Sequence, residues 1–309
     1  MQKIDKNWDL FSDKWMKGIF FELTYWKNEI NKNSIKEIEY KFNNRKSFEL
    51  THFTDKDILH HLQMMGIYKI LDIGCGMNYL HKPAGLDIKI DYHFIDALAP
   101  FYNKLKEKYN VLIPDTEFSF VEYLTSFYNI NSIPLIIITN ALDHSIDPVK
   151  GIIECVNVLK IDGILWLEHY NNTAEQEHYR GLHQFNFDVR DDAFIIWNND
   201  GYYINVNELL IHVASITCIK DLSKNYIKIT KLNNATDFLT KDSDVFFLCY
   251  KLINNIESIL SYRKISRLHF NRIIYMLFKK KLFCLLIKFV QFPFPKLFRK
   301  RLKNKIIAS

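Results

Sequence analysis

LDIGCGMNYL, residues 71–80, decides how this chain is read. A short aliphatic run carrying one acid ends in Gly74 and Gly76, the G-x-G spacing of a strand that turns tightly into a helix. Two glycines let the backbone turn sharply and approach a ligand with no Cβ in the way. The dinucleotide fingerprint uses a third glycine for close helix–strand packing and holds a pyrophosphate at the helix N-terminus. Here Tyr79 stands in that place, and no glycine follows until Gly85. The turn therefore predicts a nucleotide-type site and argues against an occupant with a pyrophosphate.

The neighbouring sequence repeats a strand–turn–helix rhythm. YKILDIG (68–74) and DYHFIDAL (91–98) read as short strands, and Ala99 to Tyr109 as a helix. PLIIITNAL (134–142) is a continuous apolar run of the kind buried on both faces of a parallel sheet. Asp147 to Leu159 reads as a helix, with Asp147 as N-cap and Pro148 at the first helical position. Asp162-Gly163 then turns the chain into the strand ILWLEHY. Strands alternating with helices of this length predict an α/β fold, a Rossmann-like open twisted sheet. AFIIW, SITCI, NYIKITKL and DVFFLCYKL lie too close together for crossover helices, and predict antiparallel hairpins added at one end. Residues 1–65 show helical spacing in WDLFSDKWMKGIFFELTYW and DKDILHHLQMM, and predict a helical cap over a sheet edge. The implied domains are the cap, a cofactor-binding domain over 66–252, and a basic helical tail over 253–309.

Asp96 lies 20 residues beyond Gly76, at the end of the second strand. A carboxylate there can accept bonds from both hydroxyls of a ribose; the alternative is a surface acid that merely follows a strand. A ribose without a pyrophosphate fits S-adenosylmethionine. At this point the chain resembles the class I S-adenosylmethionine-dependent methyltransferases. LDIGCG is similar to their motif I, FIDAL to their ribose-binding acid, and TNALDHSIDP to their motif IV. DHSIDP (143–148), EH (168–169), YRGLHQFNF (179–187) and FIIWN (194–198) resemble a bacterial subgroup often associated with cell-surface polysaccharide genes.

The resemblance implies methyl transfer to a sugar-linked acceptor. It implies Asp72, Gly74 and Gly76 at the methionine end, Asp96 at the ribose, Glu122 beside the adenine, and Asn140 facing the methyl donor. Candidates for the base that deprotonates the acceptor are His183, then His144, then His169, because a histidine titrates near neutral pH. Asp143 stands among the same polar groups at the strand ends. Glu168, Tyr179, Arg180 and Gln184 are candidates for holding the acceptor, with Arg180 suited to a phosphate or carboxylate. No tight ligand spacing in the sequence points to a metal. Competing readings are methylation of another small molecule, of a phosphoramidate-type group or of RNA, and a binding protein that keeps the fold without catalysis.

Composition narrows the setting. Five scattered cysteines form no C-x-x-C pair, which argues against a disulfide framework and a zinc ribbon and predicts a reducing cytoplasm. No apolar signal segment opens the sequence. The net charge of +6 divides into −8 over residues 1–250 and +14 over residues 251–309. In the tail, short apolar blocks alternate with Lys and Arg, and the longest unbroken run, Leu282 to Ile287, is far short of a membrane span. Residues 270–309 predict a peripheral contact with an anionic membrane, at the inner face, rather than with nucleic acid; the alternative is a tail that packs as ordinary helices against the body with only its final Lys and Arg residues exposed.

Overall fold

The computed structural model describes residues 18–19, 21–30, 35–44, 46–48, 50–77 and 88–234. Tyr79, the strand expected at DVFFLCYKL and the basic tail from 253 lie outside the described residues.

Helix α1 (residues 21–30) and helix α2 (Ile35–Asn44) precede helix α3 (Asp55–Met65). Thr54 and Asp57 close a capping box at the start of α3, and Gly66, at φ 65°, ends it in the left-handed conformation. The strands are β1 (Lys69–Ile73), β2 (Asp91–Asp96), β3 (Glu117–Phe118), β4 (Ile133–Thr139) and β5 (Leu159–Tyr170), then β6 (Asn186–Arg190), β7 (Ala193–Trp197), β8 (Tyr203–Asn205), β9 (Ala214–Lys220) and β10 (Lys224–Lys231). Helix α4 (Ala99–Tyr109) follows β2, and α5 (Pro148–Val158) connects β4 to β5. Short helices α6 (Thr173–Gln176) and α7 (Val206–Leu209) complete the set.

The seven-stranded sheet runs β3-β2-β1-β4-β5-β10-β9. Its first five strands are parallel, and the β9–β10 hairpin is added antiparallel along β5. Strand order reverses between β1 and β4, the switch point beyond whose carboxyl ends open α/β sheets bind ligands. This is the expected Rossmann-like α/β class. AFIIW departs from expectation: as β7 it joins a separate three-stranded antiparallel sheet, β6-β7-β8, instead of extending the main one.

Strand alternation explains why PLIIIT is apolar throughout. Leu135 and Ile137 face one way, into a cluster with Phe53, Ile58, Leu62 and Trp166. Ile136 and Ile138 face the other way, towards Ile152, Cys155 and Phe187. Helix α3 therefore packs on a face of the sheet, which corrects the expected cap over its edge; Ile58 and Leu62 are fully buried there. Asp147 caps α5 as expected, its Oδ1 accepting the Lys150 N–H at 3.0 Å. Asp162-Gly163 is not a turn before β5 but an irregularity within it. Pairing with β4 jumps from Ile133↔Leu159 to Leu135↔Ile164, and Asp162 has φ 63°. Cys75, Cys155 and Cys218 are free thiols. No helix among the described residues is long and apolar enough to cross a membrane.

One buried cation ties the hairpin to the parallel sheet. Lys231, at the end of β10, is 2% exposed. Its Nζ donates to Asn131 Oδ1 at 2.6 Å and to the carbonyls of Asn157 and Leu159 at 3.2 and 2.9 Å, so it covers the carboxyl end of α5. Burial pulls its pKa down to about 8. Lys231→Met keeps the aliphatic stem and removes the donor that three acceptors share, of which the Leu159 carbonyl is buried. Urea unfolding should show a loss of about 2 kcal/mol or more. An unchanged unfolding midpoint would mean that the ammonium is dispensable.

Candidate functional site

At the end of β1, Gly74 and Gly76 have φ of 71° and 58°, and a Cβ on either would collide with a neighbour, Ala141 at Gly74 and the Trp26 ring at Gly76. The turn is pinned to the end of β2. Gly74 N–H donates to Ile95 O at 2.7 Å, and Gly76 N–H to Asp96 Oδ2 at 3.1 Å. The other Asp96 oxygen accepts the Leu98 N–H at 2.7 Å. Burial raises the Asp96 carboxyl to about 7, against the pull of those two backbone bonds. Asp72 is buried within β1, opposite Phe94 of β2 and Ile137 of β4.

Across the switch point, the segment after β4 carries a cluster of polar groups. Asn140 takes φ 48°, donates its N–H to Glu168 O at 2.8 Å, and accepts the Tyr170 N–H on Oδ1 at 3.0 Å. A 3₁₀ turn, Leu142–His144, then points Asp143 inward. Asp143 is 0% exposed. Its Oδ1 meets His169 Nε2 at 2.9 Å, and its Oδ2 meets His183 Nδ1 at 2.6 Å. His144 Nε2 approaches His183 Nδ1 at 3.2 Å. Burial works against the Asp143 charge, but His144, His169 and the hydrogen bonds from His169 and His183 outweigh it and hold the carboxyl well below the usual carboxylate range. On His183 burial also opposes the charge. The bond to Asp143 and the nearby carboxylates prevail there, so the ring keeps its proton above the ordinary histidine value.

The three histidines thus have different prospects. His169 is buried, and its Nδ1 faces Tyr170 O at 3.1 Å while its Nε2 faces Asp143. Both nitrogens point at acceptors, so His169 serves as a donor that fixes Asp143. His183 has a side chain 29% exposed and its Nδ1 held by Asp143, an arrangement that orients Nε2 as the proton acceptor. His144 is 20% exposed and lies between His183 and Glu22, with its Nδ1 4.0 Å from Glu22 Oε2.

Several other candidates are committed to the framework. Glu122 is buried, and its Oε1 accepts the N–H groups of Ile146 and Asp147 at 2.7 and 3.0 Å, holding the loop that opens α5. Burial raises its carboxyl to about 7. Glu168 is also buried. Its Oε1 accepts from Thr51 N–H at 2.7 Å and Trp166 Nε1 at 3.2 Å. Gln184 Nε2 donates to the carbonyls of Tyr179 and Gly181 at 3.3 and 3.1 Å, and Tyr179 Oη accepts from Asn186 Nδ2 at 2.8 Å. Among the described residues Arg180 has no ion pair, and its exposed side chain is available to an anion.

Sequence reasoning missed Glu22 and Trp26, four residues apart on α1. Trp26 lies over the Gly76 turn, and its Nε1 donates to Glu22 Oε1 at 2.8 Å. The helical spacing of FELTYW is visible in the sequence, but nothing in it shows where that face docks. Sequence reasoning also missed the metal-ligating character of the cluster. Asp143, His144 and His183 each offer one ligand atom, all within 4.8 Å of one another.

No protein-family model matches the chain, and no curated protein matches it. Among solved structures it is similar to the CurJ carbon methyltransferase, at 12% identity over 59% of this chain and 57% of that one, with a TM-score of 0.37. It is also similar to CalH, solved in complex with SAH, at 14% identity over 57% of this chain and 54% of that one, with a TM-score of 0.36. A SAM-dependent methyltransferase from Aquifex aeolicus matches at 14% identity over 64% and 97%, with a TM-score of 0.35. The match thus spans little more than half the length of CurJ and CalH. Likenesses this distant concern the fold alone.

The contacts of Glu168 generate a direct test. Glu168→Ala should cost about 1–3 kcal/mol, the range for leaving a buried donor, here Trp166 Nε1, unpaired. It should also speed hydrogen exchange at the Thr51 amide. Unchanged protection of that amide would show that the carboxylate does not anchor residues 50–54 to the sheet.

Proposed function

We propose that the chain is an S-adenosylmethionine-dependent methyltransferase acting on a hydroxyl of a sugar or a sugar-linked substituent. The observation that carries this reading is the pairing of two features at one switch point. The positive-φ Gly74–Gly76 turn is bonded to Asp96, and the Asp143–His183 pair stands beyond Ala141, which touches that turn. The choice of a sugar-linked acceptor rests on the sequence resemblance of DHSIDP and YRGLHQFNF.

The residues fit this cofactor. Gly74 and Gly76 hold a tight positive-φ turn that a side chain would block, since Ala141 and the Trp26 ring lie where its Cβ would be, and Asp96, bonded to that turn, presents a carboxylate suited to two ribose hydroxyls. When bound, the sulfonium supplies an already activated methyl group for in-line displacement. The protein's remaining work is alignment, exclusion of water and removal of one proton. Asp143 holds the Nδ1 proton of His183 and leaves the Nε2 lone pair to take the proton of the acceptor hydroxyl. His169 keeps Asp143 ionised and in place, and the exposed Arg180 guanidinium suits an acceptor carrying a phosphate or carboxylate.

Calorimetry with S-adenosylhomocysteine tests the cofactor side. The Asp96 carboxyl titrates at about 7, and only its ionised form can accept from both hydroxyls. Affinity should therefore fall by up to about tenfold per unit as pH drops below 7, and level off above it. Above pH 7 Asp96→Asn should bind more weakly than wild type by at least about 1.5 kcal/mol, and its affinity should not vary with pH, so the gap closes as the wild-type carboxyl is protonated. Wild-type affinity independent of pH would remove Asp96 from the site.

Turnover tests the acceptor side. His183→Ala should lower it by about 10²–10⁴-fold while cofactor affinity stays close to wild type. Full turnover in that variant would exclude His183 as the base.

A further inference from the structure

We propose that Asp143, His144 and His183 form a binding site for one divalent transition-metal cation. The ligand atoms are Asp143 Oδ2, His144 Nε2 and His183 Nδ1. Asp143 Oδ2 and His183 Nδ1 are 2.6 Å apart, and the two imidazole nitrogens are 3.2 Å apart. Tetrahedral zinc with bonds of about 2.0–2.1 Å sets its ligand atoms about 3.3 Å from each other. Two of the three ligand pairs are thus within about 0.7 Å of that spacing before any ion arrives, and all three ligand atoms lie within 4.8 Å of one another. Two imidazole nitrogens aimed at one another can share only one proton, whereas a cation between them engages both lone pairs.

Asp143 and His144 have carboxylate- and imidazole-based outer neighbours of the kind that ligands use. Metal-bound imidazoles usually donate their other N–H to a carboxylate or carbonyl, and ligating carboxylates are themselves hydrogen-bonded. His144 Nδ1 lies 4.0 Å from Glu22 Oε2, an ion-pair approach that a small shift would turn into a hydrogen bond, and Glu22 is held by Trp26 Nε1 through its other oxygen. The second Asp143 oxygen is held by His169 Nε2 at 2.9 Å, and His169 is anchored in turn on Tyr170 O. Asp143 is fully buried, while the side chains of His144 and His183 are 20% and 29% exposed. The site is therefore rigid behind and open in front. Three protein ligands with an open fourth position is the pattern of exchangeable or catalytic zinc. Two nitrogens and one oxygen favour Zn²⁺ or Co²⁺ over Mg²⁺ or Ca²⁺.

Occupancy has one consequence, which rests on the methyltransferase reading above. With the cation on Nδ1, the single proton of neutral His183 lies on Nε2, which can no longer accept one from a hydroxyl. Metal binding and general-base action at His183 then exclude each other, and Zn²⁺ inhibits methyl transfer.

The test uses the full-length protein, stripped with a chelator and titrated with Co²⁺ or Zn²⁺ alone. Visible Co²⁺ absorption and zinc calorimetry should report one equivalent in a tetrahedral, nitrogen-containing site. His144→Ala and Asp143→Asn should each weaken binding at least tenfold. Glu22→Gln, which leaves all three ligands intact, should weaken it by about 10–100-fold, the range for an outer-shell partner. His93→Ala removes the centre of a separate surface cluster with Asp91 and Glu117 and should change nothing. Absence of binding in the wild type, or undiminished binding in folded His144→Ala, overturns the site. Loss of binding in His93→Ala also overturns it. S-adenosylhomocysteine affinity, measured on the same stripped samples, reports separately on the methyltransferase reading, so either idea can fail alone.

Discussion

A fully buried carboxylate, Asp143, is the constraint around which the site is arranged. An isolated charge at 0% exposure would be too costly to keep, and it persists because His169 and His183 bind its two oxygens separately. Each partner comes from a different part of the chain. His169 arrives on β5, 26 residues later, and His183 on the loop before β6, 40 residues later. Removing either would leave the charge half-compensated, which is more damaging than losing an ordinary hydrogen bond.

The backbone around Asp143 is built to hold it there. Asn140 leaves β4 in the left-handed conformation, which asparagine tolerates better than most side chains. Through Glu168 O and Tyr170 N–H it carries the β4–β5 pairing one step beyond the strand end. The 3₁₀ turn then brings residue 143 over residue 169. The Gln184 N–H reaches the Asp143 carbonyl at 3.5 Å, and the Gln184 side chain closes its own loop. The loop that carries His183 is thereby fastened to the turn that carries its partner.

The glycine turn obeys a different logic, of shape more than charge. Gly74 and Gly76 fit because Ala141 and Trp26 fill the space that a side chain would need. Helix α1 meets both halves, with Trp26 over the glycine turn and Glu22 beside His144. One helical turn of α1 therefore spans the distance between the glycine turn and the Asp143 cluster.

Much of this was legible in the sequence, because it depends on local or periodic signals. The limits of α3 and α4, the Asp147 cap of α5, the doubly buried β4 and the position of Asp96 at the end of β2 all follow from spacing and capping chemistry over a few residues. The strand-end location of Asp143, His144, Glu168 and His169 was legible for the same reason. What only the tertiary structure decided are the contacts between distant segments. It showed which histidine nitrogens already face acceptors, and it tied Glu122 and Glu168 to backbone N–H groups. It placed β7 in a second sheet, α3 on a face instead of an edge, and Glu22 and Trp26 at the site. A hydrogen bond across 40 or 117 residues leaves no periodic trace in either partner's neighbourhood. A sequence prescribes which faces are apolar and which ends are capped, and the packing of those faces decides which polar groups meet.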